Sequence, residues 1–336
     1  MYVMVGGYSA RSHAHGDSDA AASVQPQSSV LSALPLYFLY GHCVLCYQPL
    51  TSGDLIVQMP AFELDSYLAA IGTYKISRLS LTPAVLYDVA AGVTKAGTIA
   101  QSVATGNRYD IGSVKMIGCG GASLPHALKQ SYSQIFNGSP ILQGYGMAES
   151  TSIIAGSSWT TPHEGAVGVL YPNSSGKVID SAGQETDGFG ELCVSGPHVM
   201  RGYVNTATSP VVNGFLRTGD YARVSSDGHV FLRGRIADIV YTEDGVVVPT
   251  DVENALASCP LVSDCAVKGE GPKGSARTVA YIVPSETPAG ADVLQRISQW
   301  ARSHTGVSIE CRAVEAIPKS PAGKVLRYLL GKADAQ

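Results

Sequence analysis

Apolar and polar positions change their period several times along the chain, and each change predicts an element. Residues 1–30 show neither helical nor strand periodicity. His13-Ala14-His15-Gly16-Asp17-Ser18-Asp19 and the Ala/Ser/Gln run after it read as a disordered lead-in, taken here as 1–33. From Leu34 the texture turns apolar and aromatic. Leu34-Pro35-Leu36-Tyr37-Phe38-Leu39-Tyr40-Gly41-His42 predicts the start of a helix lining a pocket. Asp54 to Met59 reads as a buried strand. Phe62 to Gly72 reads as a helix with Leu64, Tyr67, Leu68 and Ile71 on one stripe. Ile76 to Leu81 is again strand-like and Pro83 opens a helix. Val114 to Cys119 is a third strand, and Leu124 to Phe136 is a helix with Ser123 as its N-cap. Strands alternating with helices predict a parallel α/β sheet, whose ligands sit beyond the carboxyl ends of the strands.

After about Trp159 the pattern becomes that of short strands separated by Gly, Asn, Asp and Ser, which predicts a small barrel or distorted sandwich over 159–235. Within it, Leu216 to Asp220 and Ala222 to Leu232 pair around Asp227-Gly228, a hairpin signal. The remainder, 236–336, predicts a small α+β domain. Thr250 caps a helix from Asp251 to Ser258, Cys265 to Val267 and Thr278 to Val283 are strands, and Asp292 to Thr305 is an amphipathic helix. Pro318 to Arg327 is a glycine-containing loop ending in basic residues. The expected fold class is therefore α/β: a partial parallel-sheet subdomain over 34–158, a β-barrel-like subdomain, then a small mobile α+β C-terminal domain.

Composition narrows the function classes. At 336 residues and 45% hydrophobic content the chain buries a sizeable core, and a net charge of −4 gives no reason to propose nucleic acid as a partner. Apolar runs stop well short of a membrane span, Met1 to Gly16 has no secretory signal pattern, and Ala333-Asp334-Ala335-Gln336 is not a peroxisomal tripeptide. Seven dispersed cysteines, with only Cys43 and Cys46 at metal-like spacing, read as ordinary thiols in a reducing compartment. The expected location is the cytoplasm.

Four stretches carry candidate chemistry. Gln143-Gly144-Tyr145-Gly146-Met147-Ala148-Glu149-Ser150 follows a short apolar run, so its glycines let the backbone turn and approach a ligand. Tyr145 offers a flat face for a purine, and Glu149 a hard oxygen ligand suited to Mg2+. The same stretch also fits a plain strand-to-loop turn. Asp220, after Thr218-Gly219, has two acceptor oxygens for a pair of ribose hydroxyls; a turn aspartate capping its own backbone fits equally. Arg235 brings donors for ribose or phosphate, or is a surface arginine. In Pro318-Lys319-Ser320-Pro321-Ala322-Gly323-Lys324-Val325-Leu326-Arg327, Lys324 is a positive charge at a loop tip, able to meet negative charge that builds during attack on phosphorus; a basic tail fits too.

Taken in order, these stretches resemble the adenylate-forming superfamily of acyl- and aryl-CoA synthetases, firefly luciferase and peptide-synthetase adenylation domains. Gln143 to Met147 and Pro318 to Arg327 look more like 4-coumarate-type and medium-chain CoA ligases than like peptide-synthetase domains. Pro35 to His42 resembles the family's aromatic motif; Gly120-Gly121-Ala122 and Gln143 to Glu149 resemble its adenine and phosphate segments; Gly190-Glu191-Leu192 through Gly196-Pro197 and Gly202-Tyr203 to Asn205 resemble its barrel motif. The resemblance implies a two-step reaction: a carboxylate attacks the ATP α-phosphate, and a thiol, usually coenzyme A, then displaces AMP. It implies Gly120, Gly121, Ala122, Gly144, Tyr145, Gly146, Asp220 and Arg235 at the nucleotide, Glu149 on Mg2+, Lys324 in the first step, and Tyr37, Phe38, Tyr40 and His42 at an acyl pocket. A small-molecule carboxylic acid, ATP and coenzyme A are the implied partners.

The chain also departs from that pattern. No Ser/Thr/Gly-rich phosphate loop precedes Leu34, so the chain reads as an N-terminally truncated member. Ala148 stands where the family has threonine, Phe38 where it has histidine, and Ala237 at its hinge position. Two readings follow: an acyl- or aryl-CoA ligase, such as one of specialised metabolism, or a non-catalytic remnant or partner module that keeps the fold without the phosphate loop.

Overall fold

Five apolar side chains from five neighbouring strands form one row: Val57, Leu31, Leu79, Ile117 and Ile141 stand opposite one another in register and are buried. They belong to β3 (Leu55–Gln58), β2 (Ser29–Ser32), β4 (Arg78–Leu81), β5 (Met116–Gly120) and β6 (Ile141–Met147). The computed structural model describes residues 2–5, 28–95, 109–121, 124, 126–157, 163–206, 208–286, 290–320 and 323–332. The chain divides into two compact units, Met1–Thr160 and Thr161–Gln336.

In the first unit the strand order is β1-β3-β2-β4-β5-β6-β7, with β1 (Tyr2–Val5) and β7 (Ser152–Gly156) antiparallel to their neighbours β3 and β6 and the strands between them parallel. The apolar row packs against α3 (Leu64–Thr73), α4 (Pro83–Lys95) and α5 (His126–Ile135), bringing Tyr67, Leu68, Ile71, Leu86, Val89 and Phe136 into one core. Each such side chain contributes about 1.5–3 kcal/mol by leaving water. The helix stripe expected on Leu64, Tyr67, Leu68 and Ile71 is the face that packs there, Leu64 at its rim. The Glu63 carboxylate caps α3 by accepting from the Asp65 and Ser66 amides at 3.1 and 2.8 Å.

The expected lead-in is corrected at two places. Tyr2–Val5 is an edge strand, and Ser29–Ser32 is a buried strand between β3 and β4. The signal was short: only Val30 and Leu31 are apolar, and Ser29 is held instead by hydrogen bonds to Ser77 and the Lys75 carbonyl. The aromatic stretch becomes helical only at Leu39. There α1 (Leu39–His42), a π-helical turn at Cys43–Tyr47 and α2 (Gln48–Ser52) run on continuously.

The second unit begins with an antiparallel sheet in the order β8-β13-β12-β10-β9, with β11 (Val211–Val212) added to β12. Its strands are β8 (Gly168–Leu170), β9 (Ser175–Ile179), β10 (Gly190–Ser195), β12 (Phe215–Val224) and β13 (His229–Arg235). The β12–β13 hairpin turns at Asp227-Gly228 as expected. A second core gathers β14 (Val240–Thr242), β15 (Gly245–Val247), α6 (Pro249–Ala257), β16 (Val262–Glu270), β17 (Arg277–Pro284), α7 (Ala291–Thr305) and β18 (Glu310–Ala313) around Val252, Leu256, Val267, Ala280, Ile282 and Ile297. β16 and β17 are antiparallel and β18 adds parallel to β17. Thr250 does not cap α6. The helix starts at Pro249, whose fixed φ suits the first helical position, and Thr250 lies inside the first turn.

Candidate functional site

The expected adenine segment is a strand rather than a turn. β6 runs straight through Gly144-Tyr145-Gly146, with a bulge between Tyr145 and Gly146 where it pairs with β7. The sharp turn comes later, as a short 3-10 turn at Ala148–Ser150 closed by Thr151 in the left-handed region at φ 57°. The Ser150 hydroxyl donates to the Met147 carbonyl at 2.9 Å, which holds the turn. Tyr145 and Glu149 are half-buried on these two segments.

Beside them, Gly120 and Gly144 are in register on β5 and β6. A β-carbon on Gly120 would sit 3.2 Å from the Gly144 carbonyl oxygen and 3.6 Å from the Tyr40 ring. A β-carbon on Gly118 would meet Ser80 Oγ at 3.3 Å and the Tyr40 hydroxyl at 3.8 Å. The glycines therefore make the bed on which the Tyr40 ring lies. Burial pushes the Tyr40 hydroxyl up from its ordinary pKa, Cys119 adds to this, and a hydrogen bond from Ser80 works against it. Cys43 Sγ contacts the Thr151 carbonyl at 3.6 Å, so the helix carrying Tyr40 also touches the turn after Glu149.

Of the four aromatic-motif residues, Tyr40 packs against the β5 glycines and Phe38 is half-buried. Tyr37 is 79% exposed and His42 is exposed, its ring edge-on to Tyr47 at 4.6 Å. Helical geometry separates them: Tyr40 faces the sheet, whereas Tyr37 precedes the first helical turn. Gly121 is exposed at φ 89°, and Ala122 lies outside the described residues.

In the second unit Asp220 and Arg235 face each other in register on β12 and β13, with Arg235 Nε 3.1 Å from Asp220 Oδ1. Arg235 Nη1 donates to the Thr218 carbonyl at 2.9 Å. Asp220 is buried and Gly219 takes φ 70°, a backbone conformation that glycine adopts without penalty. The side chains of Thr218 and Glu191 complete the surroundings. Thr218 donates its hydroxyl to the Leu192 carbonyl at 2.8 Å, and Glu191 accepts the Gly219 amide at 3.1 Å. Sequence reading missed Glu191 as a site residue. Its signal was present, because it falls within the barrel motif and one strand away from Thr218-Gly219-Asp220.

Lys324 is exposed on a hairpin closed by a Lys319–Val325 bridge. The Ser320 amide donates to the Lys324 carbonyl at 2.8 Å, and Ser320 Oγ accepts the Lys324 amide at 3.2 Å. The hairpin is pinned at both feet. Lys319 pairs with Asp264 at 2.6 Å, and Arg327 makes a two-pronged pair with Glu253 at 2.6 and 2.8 Å. Among the described residues the Lys324 ammonium has no ion pair. A separate cavity of about 250 Å³, lined by Tyr221, Arg233, Val247, Asp251 and Val307 among others, contains none of the residues expected at the site.

These residues fit a nucleotide unit by unit. The half-buried Tyr145 beside the β5–β6 strand ends offers a face to a flat ring, and the Asp220–Arg235 pair joins two acceptor oxygens to a multi-donor cation. Mg2+ is usually held through one or two carboxylates plus phosphate and water. The single carboxylate of Glu149 suits that mode, and no cluster of three or more His, Cys, Asp or Glu that could hold a metal ion occurs among the described residues. All seven cysteines are unpaired; burial pushes the Cys119 thiol up to about 12, which leaves it unreactive.

The model of the AMP-binding enzyme family matches residues 7–204, and that of the AMP-binding enzyme C-terminal domain matches residues 251–324. The chain belongs to the AMP-binding enzyme family. It is 32% identical over 310 residues to 4-coumarate–CoA ligase-like 3 of Oryza sativa subsp. japonica, covering 89% of this chain and 51% of that protein. It is 30% identical over 329 residues to acyl-CoA ligase lcsD of Purpureocillium lilacinum, covering 89% of this chain and 80% of that protein. In fold it is similar to the anthranilate CoA ligase AuaEII in complex with anthranoyl-AMP, with a TM-score of 0.77 at 20% identity, covering 91% of this chain and 60% of that one. The chain spans about half the length of the plant relatives it matches. No helix among the described residues is long and apolar enough to cross a membrane.

Proposed function

We propose that the chain is an acyl- or aryl-CoA ligase. In the first step the oxygen of a carboxylate attacks the α-phosphorus of ATP, forming an acyl-adenylate and releasing pyrophosphate. In the second the sulfur of coenzyme A attacks the acyl carbon and AMP leaves. Splitting the reaction in two makes a reactive electrophile of a poor one before the thiol arrives.

The observation that carries this reading is the Asp220–Arg235 pair. A carboxylate buried at a bulge, with its orientation fixed by an arginine in register, suits the two hydroxyls of a ribose. In the first unit, Tyr145 packs on the adenine, with Gly120, Gly121, Gly144 and Gly146 giving the backbone its close approach, and Glu149 would hold Mg2+, which would supply positive charge to the phosphates. Lys324, exposed on its pinned hairpin, meets the negative charge that develops on the carboxylate and α-phosphate oxygens. Tyr40 forms the floor of the acyl pocket. An apolar floor favours an aryl or medium-chain carboxylate, and the compartment is the cytoplasm.

The test is ATP–pyrophosphate exchange on the purified chain with Mg2+ and a panel of aryl and fatty carboxylates. Exchange that depends on the carboxylate supports adenylation and names the substrate class. Folded protein that binds AMP yet exchanges nothing overturns the ligase reading.

A further inference from the structure

The bulge that carries Asp220 is unusual in its size. On the β10–β12 ladder Glu191 faces Tyr221 and Cys193 faces Arg217, so the single residue Leu192 is opposed by Thr218, Gly219 and Asp220. Backbone groups that leave a ladder need other partners, or the bulge relaxes. Here side chains supply them. Thr218 Oγ1 accepts the Asp220 amide at 3.1 Å while donating to Leu192, and Arg235 bonds the Thr218 carbonyl. The Gly219 amide goes to Glu191 Oε1 at 3.1 Å. The other Glu191 oxygen, Oε2, accepts from Arg217 Nε at 2.9 Å and also from Arg217 Nη2. One carboxylate thus ties the residue before the bulge to the residue at its apex. An exposed ion pair contributes little, but the Glu191 side chain is only 12% exposed, and one of its oxygens holds a backbone amide as well.

We propose that Glu191 is a positioning residue: through Arg217 and Gly219 it fixes where the Asp220 carboxylate stands, and so sets the discrimination between a nucleotide with both sugar hydroxyls and one lacking either. This rests on the reading of Asp220 as the ribose ligand. A glutamine in its place retains one acceptor oxygen but turns an amide N–H2 toward either Arg217 or the Gly219 amide, so both bonds cannot survive. The Asp220 carboxylate then loses its fixed position while the rest of the nucleotide site is untouched.

The experiment is calorimetric titration of the full chain with AMP, 2′-deoxy-AMP and 3′-deoxy-AMP. The unaltered chain prefers AMP over each analogue by about tenfold or more, as expected for a hydrogen bond to a charged group. Glu191→Gln brings the ratio to within about threefold, and Arg217→Gln, which removes the half-exposed partner only, lowers it by a smaller factor. A folded Glu191→Gln protein that keeps the full ratio, even with all three affinities lowered together, overturns the proposal. If Glu191→Gln does not fold, Arg217→Gln decides by the same criterion. AMP binding with no hydroxyl preference in the unaltered chain overturns the ribose role of Asp220 and this proposal with it. No AMP binding at all overturns the nucleotide reading itself.

Discussion

The strand ends at Gly120 and Gly144 and the bulge at Thr218–Asp220 are built by opposite means. At the first, side chains are absent, and the space a β-carbon would take is shared by a carbonyl oxygen and the Tyr40 ring. At the second, each displaced backbone group named above has a side-chain partner, and residues from three strands hold the bulge on which the Asp220 carboxylate, paired with Arg235, stands. A surface bare of side chains, here covered by the Tyr40 ring, selects a flat group by its thickness and asks little of its chemistry. A saturated polar cluster admits only a ligand whose hydrogen bonds match. On the proposed function, selection by shape falls to the first unit and selection by chemistry to the second.

Lys324 lies outside both constructions, as a single exposed charge on a pinned hairpin, and its removal has the largest expected effect. Lys324→Ala lowers carboxylate-dependent pyrophosphate exchange by about 100- to 1,000-fold, the cost of removing one donor that meets developing charge. AMP affinity and thermal midpoint stay unchanged, because the hairpin is closed by Ser320 and anchored through Lys319 and Arg327 rather than by the lysine side chain. Full exchange in this variant would remove Lys324 from the reaction.

Next is Asp220→Ala, which strips the saturated cluster of the group it exists to hold. AMP binding weakens by about 10- to 100-fold, the range for hydrogen bonds to a charged group. Arg235 loses its partner in the same step. A titration in which Asp220→Ala binds AMP as the unaltered chain does would break the comparison, since the polar cluster would then serve stability alone.

Gly120→Ala probes the other construction. Its β-carbon would press on the Gly144 carbonyl at 3.2 Å, so the β5–β6 pairing must give by a few tenths of an ångström, and the Tyr40 ring in ordinary contact at 3.6 Å shifts with it. Overpacking of this kind costs about 1–3 kcal/mol of stability. In a denaturant melt the midpoint falls with unchanged slope, and the preferred carboxylate in exchange assays shifts toward smaller acids. An unchanged acid preference would separate Tyr40 from the acyl pocket.

These particulars explain what sequence reading reached and what it did not. The parallel sheet was legible because β3 and β5 are largely apolar, the run into and through β4 sets Ile76, Leu79 and Leu81 among polar residues, and helix stripes that form the core lie between them. The β12–β13 hairpin was legible because Asp227-Gly228 is a strong turn pair. Ser29–Ser32 was not legible. Its apolar content is two residues, and what makes it a strand is its neighbours on both sides. The same is true at the site. Residue types picked out Asp220, Arg235 and Lys324, but the role of Glu191 depends on a ladder that skips from Tyr221 to Arg217 across one residue, and register is not written in local pattern. Tyr37 and Tyr40 are alike in the sequence, yet only the start of the helix decides which of them meets the glycines.

The smallest expected effect comes from a second saturated cluster, which tests whether saturation by itself implies a ligand. Glu270 accepts a hydrogen bond from the Tyr281 hydroxyl at 2.6 Å, pairs with Arg312 at 3.0 Å and lies 3.3 Å from Lys268. The Tyr281 bond first, then Arg312 and Lys268, hold its carboxyl well below the usual carboxylate range, at about 2 against an ordinary 4.5, with partial burial working the other way. A carboxyl depressed on folding stabilises the native chain above its unfolded pKa, and that contribution is lost as pH falls from 4.5 toward 2. Burial first, then Glu270, raises Tyr281 to about 12, so its share is complete below the ordinary value of 10 and lost as pH rises through 12. Glu270→Gln is therefore less stable than the unaltered chain near pH 6, by a small margin because the pair is partly solvent-screened, and that gap narrows by about pH 3. AMP binding near neutral pH is the same for both proteins. A gap that stays constant between the two pH values would show that Glu270 is not depressed in the fold. A loss of AMP affinity would show that polar saturation marks the nucleotide site wherever it occurs, and the contrast between the strand ends and the bulge would lose its meaning.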